Sequence, residues 1–439
     1  MPHPESLSVG IDFGTTNSSV AWASSPTQVE LVQFPTKTIP TESFRSVLYL
    51  EQHKQSTRTQ IKSFTGPAAI EEYLHPGLGA TGPGRLIQSL KSYLPSRTLT
   101  GTEVFGRRYT IEDLISRILA DLRLNAEQRF QLPITHATVG RPVRFVGAET
   151  GEDDAFAESR LRAAFQQAGF TSIDLEMEPV GAAYAYESTL DRDELILIGD
   201  FGGGTSDFSL LHVGPGVRQR GRTPQDLLGN RGLGLAGDAF DARIVRRLVS
   251  PALGSDSHER GGKLIPAAPA WIYANLERWH YLSFLKTRNV ANILNSARQR
   301  AENPDEIQAL IHLIDEDLGY QLHQAVQRVK VDLSRHETAQ FRFRDGSMDI
   351  ESTVHRADFE LWIADELRAI EATIDGLLTD TGIAPEKVDR VFLTGGTSFV
   401  PAVRHIFETR FGHDRVRTGN EFTSVARGLA LRDLEHRNN

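Results

Sequence analysis

Residues Ile198–Leu211 read Ile-Gly-Asp-Phe-Gly-Gly-Gly-Thr-Ser-Asp-Phe-Ser-Leu-Leu, and their types suit phosphate. Gly202, Gly203 and Gly204 are free to take φ > 0 and let a ligand approach main-chain N–H donors closely. Asp200 precedes the glycines, and Thr205 and Asp207 follow them. Bare N–H groups match phosphate oxygens, while carboxylates match Mg²⁺ or its water shell. The apolar run Leu195–Ile198 leads in and Phe208–Val213 leads out, which predicts a β-hairpin whose turn is nearly bare backbone. Taken alone, this is also the pattern of an ordinary glycine-rich hairpin.

A second stretch has the same plan. Val9 and Ile11 lead to Asp12-Phe-Gly14, then to Thr15, Thr16 and Asn17, and then to an alternating strand. Asp12 and Asp200 lie 188 positions apart, which indicates one duplication rather than a repeat array. Two phosphate-cradling hairpins imply two similar lobes facing one nucleotide across a cleft, a common place for such sites.

The elements between them carry fewer chemical signals. Val29–Phe34 and Ser46–Leu50 read as strands, and the polar stretch Glu51–Gln60 as punctuation. Gly77–Gly84 reads as a surface loop. Lys91 sits among Leu86, Ile87, Leu90 and Leu94 at helical spacing, where a solvated helix lysine is the plain expectation. Thr110 and Asp113 cap an amphipathic helix over Ile111–Leu122. A second such helix spans Ala155–Ala168. Glu178 stands before the Ala- and Gly-rich helix Val180–Tyr186, which must pack closely on something; an acid there ordinarily faces the helix dipole. Gly214–Asn230 reads as a polar loop. Gly232–Gly237 is a lone G-x-G-x-x-G; with no strand predicted before it, NAD binding is rejected. Ala267–Ala301 reads as helical and aromatic-rich (Trp271, Tyr273, Trp279, Tyr281, Phe284), its aromatic rings as core. Helices are also expected over Ile307–Ser334, which carries Lys330 and Ser334, and over Asp358–Thr379, with a hairpin at Gln340–Ser352 between them. A buried strand, Val391–Thr394, ends in Gly395-Gly396, where a flat group can lie on the backbone.

The 439 residues exceed one core, so two or more domains are expected. A net charge of −9 argues against binding to nucleic acid or to an anionic membrane. The absence of cysteine excludes disulfides, Cys-based metal sites and thiol catalysis. No His/Asp/Glu set has zinc spacing, and no serine nucleophile elbow occurs. Met1–Ser6 lacks the basic and apolar regions of a signal peptide, and no run of about 18 apolar residues predicts a membrane span. Only eight residues are Lys, which makes each one in apolar surroundings worth inspecting as a compact charge for phosphate or water.

Four ordered motifs, Asp12-Phe-Gly-Thr-Thr-Asn-Ser18, Glu178-Pro179-x-x-Ala-Ala183, Asp200-Phe-Gly-Gly-Gly-Thr-Ser-Asp207 and Leu393-Thr-Gly-Gly-Thr397 with Pro401, resemble the ATPase domain of the heat-shock-70 (DnaK-type) chaperone family, within the actin-like superfamily. The aromatic insert and the short chain look more like the YegD-like branch. The resemblance implies an α/β, two-lobed actin-like ATPase fold. Its lobe I would be 1–188 with a peripheral subdomain at about 36–115, completed by 413–439. Lobe II would be 189–412 with a peripheral helical subdomain at about 242–352.

It also implies roles. Backbone groups of Gly14, Thr15, Thr16 and Asn17, and of Gly202, Gly203, Gly204 and Thr205, would hold the β- and γ-phosphates of ATP or ADP. Asp12 and Asp200 would hold Mg²⁺ through water. Lys91 and Glu178 would place the attacking water, with Asp200 and Thr205 as further catalytic groups. Thr205 and Asp207 would touch the γ-phosphate region or a K⁺ ion. Gly237 and Asp238 would flank the phosphates, and Gly395, Gly396, Thr397, Phe399, Lys330 and Ser334 would line the adenosine pocket. The implied function is slow Mg-dependent ATP hydrolysis coupled to lobe closure, in a cytoplasmic monomer with a chaperone-like or regulatory role through an unidentified protein partner or co-chaperone. A non-hydrolysing nucleotide-gated binder, an actin-like assembly protein and a small-molecule kinase are the alternatives. A kinase needs an acid beside a substrate hydroxyl, whereas Lys91 and Glu178 suit water. Three departures stand out. Val331 and Phe399 occupy positions where the family sandwiches adenine between arginines. Phe422 replaces an acid at the start of the last helix. No acidic–leucine linker or peptide-binding β-sandwich follows Asn439, so no substrate-binding domain is expected and client capture by the family's usual route is not.

Overall fold

The computed structural model describes all residues except 1–6, 37–38, 56–57, 76–83, 188–189, 262–263, 279–280, 347, 419–423 and 439. Phe422, Trp279 and nearly all of the glycine loop before Arg85 therefore lie outside the described residues. The chain divides into two compact units. One comprises Met1–Ala236, Ile370–Ser398 and Arg404–Asn439, and the other Gly237–Ala369 with Phe399–Val403. The lobes expected from the duplication divide the chain by repeat, and that partition remains a proposal.

The first unit holds two sheets of one plan. In the first, Leu7–Phe13 pairs antiparallel with Asn17–Ser25 and parallel with Ile134–Arg141, flanked by Ser172–Met177, Gln28–Leu31 and Phe44–Arg45. In the second, Glu194–Phe201 pairs antiparallel with Ser206–Val213 and parallel with Arg390–Thr394, flanked by Leu227–Leu233 and Val416–Thr418. Each central hairpin thus carries its acid at the same end. Strands buried on both faces read as unbroken apolar runs, and Leu195–Ile198 is such a run, with every residue buried.

Close helix packing holds these sheets. The last helix, Ser424–Asn438, crosses Leu7–Phe13 so tightly that a Cβ on Gly10 would lie 2.3 Å from the Ala430 nitrogen. Val425 and Leu429 share a core with Ala182, Ala183, Ile196 and Ile198, so the small-residue helix Glu178–Glu187 packs on the last helix and the second sheet. The expected cap of Ile111–Phe130 is present: Thr110 Oγ1 accepts from the Asp113 N–H at 3.0 Å, and Asp113 Oδ2 accepts from the Thr110 N–H at 2.8 Å.

Several elements differ from expectation. Arg85–Leu94 is not a helix. Gly84–Gln88 is the third strand of a small sheet with Val47–Gln55 and Arg58–Thr65, followed by one 3₁₀ turn, Leu90–Tyr93. The polar stretch after Leu50 continues that sheet, because backbone pairing needs no apolar side chains. The Gly214–Asn230 loop contains a short helix, Pro215–Arg220, and the start of the strand Leu227–Leu233. A strand therefore does precede the G-x-G-x-x-G match, but it lies antiparallel at a sheet edge and forms no parallel βαβ unit.

Three expected long helices are broken. Ala267–Ala301 becomes Ala270–Leu276, Leu282–Leu285 and Arg288–Arg300. Ile307–Ser334 becomes Pro304–Asp315 and Gly319–Arg335, interrupted where Asp317 takes φ 54°. Asp358–Thr379 becomes Arg356–Trp362 and Ala364–Thr381. The expected hairpin is present, and Thr338–Asp345 alternates buried and exposed residues along one apolar face.

Candidate functional site

The site is built in the first unit. At the hairpin end of the second sheet, Asp200 stands opposite Asp207, and Phe201 opposite Ser206. The turn is closed by the Gly202 N–H donating to the Thr205 carbonyl at 2.8 Å, so this donor is already used within the hairpin. Neither Gly14 nor Gly202, Gly203 or Gly204 takes a positive φ. Space, not handedness, requires glycine at Gly14, whereas a Cβ on Gly202 would sit at ordinary contact, 3.4 Å from the Thr205 carbonyl oxygen. A Cβ on Gly14 would lie 2.2 Å from the Asn17 carbonyl oxygen, and one on Gly204 would lie 3.1 Å from Val146 Cγ2.

Lys91 and Glu178 reach this region from separate elements. Lys91, on the single 3₁₀ turn, is 5% exposed; Glu178, at the start of the small-residue helix, is 8% exposed. Lys91 Nζ donates to Glu178 Oε1 at 2.6 Å. The plain expectations of a solvated lysine and a dipole-facing glutamate are both replaced by a buried ion pair. Gly140 makes room for it, since a Cβ there would lie 3.0 Å from Glu178 Cγ.

Electrostatics tie five side chains together. Burial, then the Glu178 charge, pushes Asp12 well above the ordinary carboxylate range, with Asp200 adding and Lys91 opposing. The same first two causes raise Asp200 to about 6, while a hydrogen bond from the Thr394 hydroxyl and the Lys91 charge oppose the rise. Asp207 is raised well above its ordinary value by burial, Glu178 and Asp200. Its Oδ1 is buried without a hydrogen-bond partner among the described residues. Buried carboxylates with surplus negative charge and a spare oxygen are suited to a hard cation. Among the described residues no three acidic or histidine side chains form a ready cage. Mg²⁺ needs none, because it binds through one or two carboxylates, retained waters and phosphate oxygens.

Thr394 was missed as a site residue, although it lies within a quoted motif. Strand pairing sets it beside Asp200, which linear spacing cannot reveal. Gly395 takes φ 82°, and a Cβ there would lie 1.9 Å from the Phe201 carbonyl oxygen. Gly396 is exposed and Thr397 buried.

The remaining predicted residues belong to the second unit. Gly237 and Asp238 begin the helix Gly237–Ile244. Lys330 Nζ lies 2.6 Å from Asp241 Oδ1 and donates to the Gly237 carbonyl at 3.2 Å. Asp241 was not foreseen. The Ser334 hydroxyl donates to the Val331 carbonyl at 2.7 Å. Val331 and Phe399 are each about half exposed, at 48% and 49%, unusual for large apolar side chains.

Comparison with known proteins gives these elements a lineage. The family model described as Hsp70 protein matches residues 89–256 and 299–433, which leaves most of the aromatic insert outside it. The chain is 25% identical over 435 residues to the chaperone protein DnaK of Thermosipho africanus (strain TCF52B), covering 98% of this chain and 59% of the relative. It is 26% identical over 427 residues to the DnaK of Thermosipho melanesiensis (strain DSM 12029 / CIP 104789 / BI429), covering 96% of this chain and 58% of the relative. It thus spans less than two thirds of the length of these relatives. The mixed α/β architecture with its duplicated hairpin sheets agrees with the actin-like ATPase fold. With the match extending over most of its length, the chain belongs to the Hsp70 family.

Proposed function

We propose that this chain binds Mg-ATP and hydrolyses it slowly, with lobe closure as the output and a chaperone-like or regulatory role through a separate protein partner. The observation that carries the reading is the buried Lys91–Glu178 pair, 2.6 Å apart, beside three carboxylates whose affinity for protons is raised. Phosphoryl transfer to water needs positioning and charge stabilisation more than covalent chemistry.

In this reading the main chain of Gly14, Thr15, Thr16 and Asn17, with Gly203, Gly204 and Thr205, holds the β- and γ-phosphates. Gly237 and Asp238 flank them in the same reading. Asp12 and Asp200 would hold Mg²⁺, which when bound would supply positive charge against the phosphate oxygens. Glu178 orients the attacking water, and Lys91 donates to that water or to a γ-oxygen. Thr205 and Asp207 face the γ-phosphate or a K⁺ ion. Gly395, Gly396 and Thr397, with Lys330, Ser334 and Phe399, take the adenosine. The chain acts as a cytoplasmic monomer of the YegD-like branch; among the described residues no helix is long and apolar enough to cross a membrane.

Single-turnover hydrolysis and Mg-ATP affinity, measured on the wild type and on Lys91→Ala, test the reading. Slow turnover by the wild type, abolished in a variant that still binds, is expected. Binding without hydrolysis by the wild type makes the chain a nucleotide-gated binder. Absence of binding overturns the nucleotide site.

A further inference from the structure

We infer that Arg144 supplies a positive charge to the terminal phosphate of the bound nucleotide, from the loop that lies over the triple-glycine turn; this rests on the ATP reading above. The loop Pro142–Gly147 follows the strand Ile134–Arg141. Three contacts hold the loop. Val146 Cγ2 sits 3.1 Å from where a Gly204 Cβ would be. The Phe145 N–H donates to Asp154 Oδ1 at 2.9 Å, with the Phe145 ring buried. Gly147, at φ 82°, turns the chain so that the Ala148 N–H returns to the Phe145 carbonyl at 3.0 Å.

Arg144 stands where this loop meets the acids. Gly232 pairs in register with Asp207, and a Cβ on Gly232 would lie 2.9 Å from Asp207 Oδ1, 3.0 Å from Arg144 Cβ and 3.4 Å from the Arg144 nitrogen. The Arg144 main-chain N–H interacts with the Asp207 carboxylate. Its backbone is thus held against Asp207, while its side chain is 51% exposed and, among the described residues, makes a loose ionic contact, 3.7 Å to Asp154 Oδ2.

Charge balance gives that guanidinium a task. Lys91 is paired with Glu178, and in the ATP reading Asp12 and Asp200 are engaged with Mg²⁺, so Arg144, loosely held by Asp154 and based beside Asp207, is a further cation available to the terminal phosphate. In hydrolysis the water oxygen bonds to the γ-phosphorus. The bond to the β–γ bridging oxygen breaks, its electron pair leaves with ADP, and the water proton passes to solvent. Charge builds on the γ- and bridging oxygens. A guanidinium, always charged and forked, donates N–H bonds to such oxygens without taking part in proton transfer.

The test uses Arg144→Ala, Arg144→Lys and Asp154→Asn in the full chain. Arg144→Ala should lower single-turnover ATP hydrolysis about tenfold or more, less than a fully enclosed arginine finger because this one is half exposed. It should also erase most of the preference for ATP over ADP while ADP affinity stays at the wild-type value. Arg144→Lys should recover part of both. Asp154→Asn breaks the loose ion pair, keeps an acceptor for the Phe145 N–H, and should leave both readouts unchanged. Wild-type hydrolysis and nucleotide preference in Arg144→Ala, or an equal loss in Asp154→Asn, overturns the inference while leaving the ATP site standing. If the wild type hydrolyses nothing, the ATP-over-ADP preference still decides; if it binds no nucleotide, the site reading and the inference fall together.

Discussion

At the scale of single residues, burial separates a functional reading from a plain one. Lys91 and Glu178 were each ordinary in sequence, and only the fold puts them 2.6 Å apart and nearly out of water. Removing one partner leaves an uncompensated buried charge, which is strongly destabilising. Asp200 has the opposite character. Its proton affinity is raised from 3.8 to about 6 by burial and by Glu178. The folded state therefore binds a proton more tightly than the unfolded chain does. The stabilisation from protonated Asp200 is complete below about pH 4 and is lost as pH rises through about pH 6. In metal-free buffer, Asp200→Asn removes that titration and keeps an acceptor for the Thr394 hydroxyl. Urea midpoints should show the variant more stable than the wild type at about pH 8, by on the order of 2–3 kcal/mol, with the gap closing near pH 4. The same difference at both pH values would show that Asp200 is not held protonated in this way.

At the scale of elements, legibility followed the strength of the local pattern. The two hairpins, the Thr110 cap and the small-residue helix were readable because their residues leave few alternatives. The breaks in the helical stretches were not: apolar residues keep helical spacing across Ile363 and Asp317, and the interruption depends on tertiary packing. The helical setting expected around Lys91 fails for the same reason, since a strand followed by one 3₁₀ turn mimics helical periodicity over ten residues. Thr394 was illegible as an Asp200 partner because the parallel register that joins them crosses nearly two hundred residues. The close passage of the last helix over the first sheet gives an element-scale prediction. Gly10→Ala sets a methyl 2.3 Å from the Ala430 nitrogen and 2.4 Å from the Ala426 carbonyl, both main-chain atoms that cannot rotate away. The helix must lift, and the variant should lose about 3 kcal/mol or more in chemical unfolding. A loss below about 1 kcal/mol would mean that this helix is held loosely.

At the scale of the molecule, the duplication was legible, whereas the division into compact units was not. The proposed nucleotide residues fall on both sides of that division. Asp12 to Asn17, Lys91, Glu178, Gly202 to Asp207 and Gly395 to Thr397 belong to the first unit, and Gly237, Asp238, Lys330, Ser334 and Phe399 to the second. A ligand lacking the nucleoside should separate the residues proposed for the phosphates from Lys330, Ser334 and Phe399, proposed for the nucleoside. Hydrogen exchange with Mg-pyrophosphate should slow around Asp12–Asn17 and Gly202–Asp207 and leave the helix Gly319–Arg335 unchanged. Mg-ATP should slow all three, and at about a hundred times its Kd should add about 2.7 kcal/mol of stability. Lys330→Ala should keep the pyrophosphate response and lose the added protection of its own helix. Protection by Mg-ATP confined to the first unit would remove Lys330, Ser334 and Phe399 from the nucleotide site.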